Sequence, residues 1–554
     1  MSTCSISDCE LDSYGEHNEC ILHCSKEKLD FFSIRTKFYK ALDKYVLDNS
    51  INNYDFCRFY KIAFPNPDTQ SDLNYIKILN NIPQINFYGC DFFVSHIELN
   101  DSKIFFHDCN FYENWTMYNY DLYSNMDDVI YINCMFHKKV ETYISEKTRL
   151  YSYSCSQFDC ACAFKGEIVF YYARFEMPPF NGRQDVCKKN SFNKFLIEDC
   201  EFIKFELNLL SQQHGNVEFK RCGFESKLRI RSVERDDYDR QQNNKSKLKS
   251  LKIIDCYVSD NAYVRIGYLD VETFLLSNLR NPQNSELNIG DCHFDSFKIR
   301  NFRNAGRFKL YKINVFGDEK GVLFQIDNTS IGDADFQSIC LTSFSTVRFF
   351  DNIFVSINYT NMQWKEIIEV GEYNDIDITK VAKKRDTYRV LKNVAIRNND
   401  QPQALLFYAR EMQQHKKLTI ESRCKQIAFK TVFLTGIFCK EKNSYLKDSR
   451  LTDIITLYFN EKTNNFGLNW WRPIWLLLLF SSIFYSSLLY SLDINIVSGS
   501  WKNIFEFMNP VHSTNFIAKG CWTGTSYFID FLHRIVEGLL IFQIVVAFRK
   551  FTRK

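Results

Sequence analysis

Residues 85–93 read INFYGCDFF and residues 104–112 read IFFHDCNFY. Each sets apolar side chains two apart, adds two residues, and then places a Cys followed two positions later by a Phe. The same grammar returns in VIYINCMFH (129–137), FLIEDCEFI (195–203), VEFKRCGFE (217–225), LKIIDCYVS (251–259) and LNIGDCHFD (287–295). Two copies, FKLYKINVF (308–316) and VRFFDNIFV (347–355), lack the Cys. Alternation with period two over such short runs marks strands with one buried side. Cys90, Cys109 and Cys134 are 19 and 25 residues apart, and Cys200 and Cys222 are 22 apart. A strand unit recurring at this interval is the mark of a solenoid, whose coils bury their apolar side only by stacking. The sequence therefore predicts a mainly β chain, with an irregular right-handed β-helix over 51–360 whose inward ladders are Phe, Ile and Cys. The handedness follows from strand twist and parallel crossovers. A β-sandwich would require the Cys register to recur by chance, and a regular five-residue repeat is missing. Helical spacing over 26–49 (Leu29, Phe32, Ile34, Phe38, Leu42, Tyr45, Val46) suits a cap on the first coil.

Composition agrees with a large aromatic core. The 554 residues include 52 Phe, 31 Tyr and 7 Trp but only 19 Gly and 9 Pro, which excludes collagen-like, linker-like and largely disordered chains. A net charge of +3 carries no global footprint of a nucleic-acid binder. A mean hydropathy of −0.29 excludes a polytopic membrane protein while leaving room for a short membrane segment.

Twenty cysteines are too many and too dispersed for a small disulfide scaffold. No basic segment followed by an apolar run opens the chain, so the thiols are expected to be reduced, as metal ligands or as small buried residues. Cys4, Cys9, Cys20 and His23 have the spacing of two short ligand pairs joined by a loop, which suits a structural zinc site. Cys24 competes with His23 for the fourth place, and four unliganded thiols near a frayed terminus are the plain alternative. The CILHC run (20–24) resembles the short zinc knuckle that opens many bacterial pentapeptide-like and β-solenoid proteins.

Beyond residue 360 the pattern becomes helical, giving a connector over 361–465 after the knuckle and cap (1–50) and the solenoid (51–360). The last segment, 466–554, reads as a two-helix transmembrane region. Residues 474–490 (IWLLLLFSSIFYSSLLY) carry no charge and follow Trp470 and Trp471, as a bilayer-length helix with an aromatic belt would. Residues 528–548 are long enough for a second span and end in a basic RKFTRK tail, which the positive-inside rule places in the cytoplasm together with the N-terminal region. On a helix, Asp530, Arg534, Glu537, Ile541, Ile544 and Phe548 share one face. Ionisable groups at bilayer depth are costly unless they face protein or water, so these six are candidate pore-lining residues of a homo-oligomer, with a tetramer the expected form. The other reading starts the span near Ile535 and leaves the charges in the interface.

The C-terminal third, with FGLNWWRPIW (466–475), FMNP (507–510) and IVEGLLIFQIVVAFRKFTRK (535–554), resembles the two-span module of bacterial pentapeptide-like membrane proteins. With a cytoplasmic β-helix, the architecture resembles the membrane effectors of Hailong-type antiphage defence, which are paired with a nucleotidyltransferase. The resemblance implies a channel-forming homo-oligomer in the bacterial inner membrane. It also implies depolarisation controlled by an oligonucleotide or nucleotide ligand on the cytoplasmic part. Two basic groups, Arg229, Arg231, Lys247 and Lys249, then Arg300 and Arg303, are candidate ligand contacts, although a charge run is more often solvated surface. No P-loop, GxGxxG, GxSxG or HExxH appears, and no enzyme is expected. The alternatives are a non-conducting anchored scaffold or an anchored carbohydrate-active enzyme.

Overall fold

The computed structural model describes residues 3–552 apart from 27–30, 50–55, 67–73, 118–128, 144–150, 182–191, 233–244, 316–320, 366–367, 370–377, 435–450, 495–502, 518–521 and scattered positions of at most three residues. The polar insertions at 176–193 and 234–250 therefore lie largely outside the described residues. The chain forms two compact units, one over Met1–Glu369 without Phe349–Asp351, the other over Val370–Lys554 with those three residues.

The first unit is a β-solenoid. Helix α1 (Phe31–Asn49) is followed by β1 (Phe56–Tyr60), β2 (Ala63–Phe64), the short helix α2 (Tyr75–Leu79), β3 (Gln84–Tyr88), β4 (Asp91–Phe92), β5 (Lys103–His107) and β6 (Asn110–Phe111). Each strand pairs in parallel with its equivalent one coil later, β1 with β3 and β3 with β5, β2 with β4 and β4 with β6. Stacking continues to Ile353–Thr360. Because the registers match, like residues fall above one another. Phe59, Phe87, Phe106, Tyr131 and Phe158 form one ladder, with successive ring centroids 5.2, 5.1, 4.9 and 4.7 Å apart. Phe64, Phe92, Phe111, Phe136 and Phe164 form a second at 5.0, 5.0, 4.5 and 5.1 Å. The ladders meet edge to face, as Phe87 and Phe92 do at 5.3 Å and 88°, the geometry that opposed ring quadrupoles favour.

The residue before each recurrent Cys explains the motif. Gly89, Asp108, Asn133, Asp199, Arg221, Asp255 and Asp291 all have φ between 50° and 60°. A left-handed corner is needed there, and Gly, Asn and Asp tolerate it best. Four of the five aspartates flanking the cysteines are these corner residues, and the fifth, Asp91, lies in β4 and accepts from Asn110 at 2.9 Å. The Cys then turns inward, and in Cys90, Cys109, Cys134 and Cys222 the thiol reaches a carbonyl of the coil before it, while Cys200, Cys256 and Cys292 donate to the carbonyl two residues earlier. Cys90 reaches Phe59 O at 3.5 Å, Cys134 reaches Phe106 O at 3.4 Å and Cys162 reaches Tyr131 O at 3.2 Å. Compactness alone suggested the Cys from the sequence; the donor function of the thiol is the added reason. At the N-terminal end α1 buries Ile34, Phe38, Tyr39, Leu42 and Val46. Phe38 lies against Phe64 at 6.1 Å and Tyr45 against Phe59 at 5.7 Å, so α1 caps the first coil.

The second unit is helical: α3 (Ile378–Arg397), α4 (Gln401–Leu434), α5 (Leu451–Asn464), α6 (Trp471–Ser491), the single turn α7 (Ile504–Phe507) and α8 (Gly524–Thr552). Asp400 accepts from the Gln403 amide at 3.2 Å and starts α4. Glu411, buried on α4, receives Arg389 at 2.9 Å and Lys392 at 2.7 Å from α3. This ion-pair triad, with buried Leu391, Ala395, Ala404 and Phe407, holds the two helices together.

Candidate metal centre and a polar file in the terminal hairpin

The N-terminal loop gathers Cys4, Cys9, Cys20 and His23 so that their ligand atoms all lie within 4.8 Å of one another. Sγ of Cys20 is 3.2 Å from Nδ1 of His23, Cys4 Sγ is 3.4 Å from the same nitrogen, and Cys9 Sγ is 3.6 Å from Cys20 Sγ. A tetrahedral zinc with Zn–S bonds of about 2.3 Å needs ligand edges of roughly 3.8 Å, so the donor set fits. Cys24 stands outside the cluster, where its thiol points to Ile21 O and takes the Lys26 ammonium at 3.4 Å. His23 is therefore the fourth member. Burial pushes the Cys20 thiol up to about 12 and holds the His23 imidazole below its ordinary value. Neutral ligands in this pocket would have to lose thiol protons to a bound cation. Three thiolates and one imidazole around a divalent ion leave one net negative charge. Lys26, fully buried and held by Ile21 O at 2.7 Å and Cys24 O at 2.6 Å, would supply the compensating cation. Nothing in the spacing of the cysteines signalled Lys26.

In the second unit α6 and α8 are both long and apolar enough to cross a membrane. At about 1.5 Å per residue, the 21 residues of α6 reach the roughly 30 Å of a hydrocarbon core. Most of their apolar surface faces outward: Trp475, Leu479, Ile483, Phe528, Phe531, Phe542 and Val545 are exposed. The inner side of the hairpin carries a file of polar residues beside an apolar cluster of Tyr485, Leu488, Leu489, Phe507 and Ile517. Asp530, His533, Glu537 and Gln543, at steps of three, four and six, are all buried along α8. His512 Nε2 lies 2.8 Å from Asp530 Oδ1, and Arg534 donates to Asp530 Oδ2 at 3.0 Å and to His512 O at 2.9 Å. His512 is held by the FMNP turn, since its Nδ1 donates to Asn509 O at 2.7 Å. His533 stacks on Phe507 at 3.9 Å, and its Nε2 is 3.0 Å from Ser481 Oγ on α6. Gln543 pairs with Asn464 and donates to Asn460 at 2.9 Å, tying α8 to α5.

Of the six candidate pore residues, Asp530 and Glu537 lie on this inner side and Arg534 at its edge. Ile541 and Ile544 are half-buried, and Phe548 is exposed beside Trp470 at 4.9 Å. His512, Ser481 and Gln543 were missed. A glutamine inside LLIFQIVVAF was the available signal, whereas the loop histidine had none.

The basic residues occupy separate strands of the solenoid. Arg229 and Arg231 lie on Gly223–Ser232, where Arg229 is in register with Glu206 and Arg265. Arg231 donates from Nε to Asn208 at 3.0 Å. Burial and the neighbouring Arg229 guanidinium, with Arg265 beyond, depress the Arg231 value. Lys247 and Lys249 project from Ser246–Ile254, a strand of a different ladder, and both are exposed. Arg300 is 3.7 Å from Asp327, while Arg303 is in strand register with Arg280. The structure thus brings Arg229 and Arg231 together with Arg265 and leaves the others apart.

Comparison with family models, with curated proteins and with solved structures gives no match to this chain.

Proposed function

We propose that this protein is a membrane effector in which the solenoid senses a phosphate-bearing ligand and the α6–α8 hairpins of several copies form an ion-conducting assembly. The observation that carries the reading is the hairpin itself. An outward apolar belt suits lipid, and an inward file of ionisable groups is retained where apolar residues would be cheaper. The chain fits a membrane-anchored β-helix, and conduction is the step beyond that. Arg229, Arg231 and Arg265, with Glu206 as their nearby carboxylate, are the favoured phosphate contacts. The resemblance to Hailong-type effectors supports a homo-oligomer in the inner membrane, with a tetramer as the expected form. It also supports a cytoplasmic solenoid and tail, and a nucleotide or oligonucleotide ligand made by a partner nucleotidyltransferase in antiphage defence. The zinc knuckle is structural in this reading.

The experiment is single-channel recording of the purified full chain in planar bilayers. Ionic current across the bilayer is expected, and a bilayer that stays silent at all potentials, with and without added nucleotides, would refute the reading. A non-conducting scaffold is favoured by one fact, the pairing of Asp530 with Arg534 and His512 inside a single hairpin. Silence in the recording combined with a monomer in detergent would select it.

A further inference from the structure

Among the described residues of the hairpin, Glu537 is fully buried and neither carboxylate oxygen has a hydrogen-bond partner. The nearest titratable group is His533, whose Nδ1 is 3.7 Å from Glu537 Oε2 and likewise unbonded. The imidazole is not free to turn away, because Phe507 stacks on its face and Ser481 holds Nε2. The other charged groups near this pair are Asp530 and Arg534, one to two turns away on α8, and His512 from the loop. These three bond to one another. From α6 the neighbours of His533 are uncharged, Ser481 and Phe484. An ionised carboxylate with no donor in such a place is costly, and so is an isolated imidazolium. One proton placed between them removes both costs, as an imidazolium–carboxylate pair or as imidazole facing a carboxylic acid.

We propose that His533 and Glu537 form a buried one-proton site and that H+ is the ion the hairpin carries, an inference that rests on the conducting reading above. Glu537 lies about 10 Å along α8 from Asp530, which is paired with His512 and Arg534 at the loop end. Beyond it, buried Leu540 interrupts the file before the amides of Gln543, Asn464 and Asn460. In this proposal a proton enters from the loop side of the hairpin, is held between His533 and Glu537, and leaves past Leu540. No bond other than N–H and O–H is made or broken, and one positive charge crosses per proton. Leu540 supplies the barrier that keeps the file from leaking.

The test uses the full-length protein in phosphatidylethanolamine–phosphatidylglycerol vesicles with a pH-sensitive dye inside and a potassium–valinomycin potential. It is run without ligand and with a mixture of the four nucleoside triphosphates as probe. Potential-driven acidification is expected, reduced at least tenfold in Glu537→Gln and retained with an altered pH profile in Glu537→Asp. If Glu537→Gln does not elute as the wild type does in detergent, Ser481→Ala, which removes only the hydroxyl on Nε2, takes its place with a smaller loss. Equal proton flux in the folded variants overturns the proposal. Current carried by sodium, potassium or chloride, with a reversal potential indifferent to the pH gradient, overturns it and leaves the channel standing. Vesicles tight to every ion overturn both.

Discussion

Truncation of Phe106 to Ala tests whether the aromatic ladders carry the solenoid. Its ring is 1 % exposed and meets five others, Phe87 at 5.1 Å, Tyr131 at 4.9 Å, Phe92 and Phe111 at 5.3 Å and Trp115 at 5.9 Å. Loss of transfer free energy and the cavity left behind cost about 3–5 kcal/mol for a buried Phe. Ring-pair geometry accounts for about 0.5–1.5 kcal/mol of each good pair beyond area. The coils on either side cannot close the gap, because their registers are fixed by backbone pairing at Ile85↔Ile104 and Ile104↔Val129. Amide exchange of the full chain, read over Lys103–His107 and its neighbours, reports the local opening free energy. Phe106→Ala is expected to lower it by about 3 kcal/mol or more. Combined with Phe87→Ala the effects should be non-additive by about 0.5 kcal/mol or more, whereas combined with Phe297→Ala, many coils away, they should add. A cost below about 1 kcal/mol, or equal coupling to Phe87 and Phe297, would refute the ladder as the source of stability.

Three further outcomes follow from the described geometry. Metal analysis of the purified protein should find one zinc per chain, lost in Cys20→Ser and kept in Cys24→Ser; loss in both variants would return Cys24 to the ligand set. At the corners, Asp255→Gly should be near neutral and Asp255→Val destabilising by about 1–2 kcal/mol, since only the second forces a branched side chain into φ of 55°; chemical denaturation separates them. Gly290→Ala should push the Tyr311 ring away, because an added Cβ would lie 2.2 Å from it, and so remove the ring that hydrogen-bonds Arg265; unchanged tyrosine fluorescence and stability would count against that contact.

The solenoid was legible because its signal is repeated. One INFYGCDFF is an ambiguous strand, but seven cysteines in a common register leave few other folds. The Gly, Asn or Asp before most of these cysteines is explained by the left-handed φ of the corner, which is seen only in the backbone. The N-terminal Cys/His cluster was legible in its members except for the choice between His23 and Cys24. Adjacent residues have equal spacing in a sequence, and Lys26 decides between them by occupying the Cys24 side. The hairpin was legible as two apolar helices with ionisable residues in the second. Which of those residues meet was not, because His512 and Ser481 come from other segments and sequence distance carries no information about such contacts.

The inward thiols have a practical consequence. Each is sealed in the wall of its own coil, so a thiol-alkylating reagent can reach it only when that coil opens. Cys90, Cys109, Cys134, Cys162, Cys200, Cys222, Cys256 and Cys292 are all buried, while Cys340 is only partly covered. The chain therefore carries its own set of numbered markers along the axis. Pulse labelling followed by mass spectrometry would read which coil loosens first, in what order the rest follow, and whether a bound ligand slows the opening nearest to where it sits.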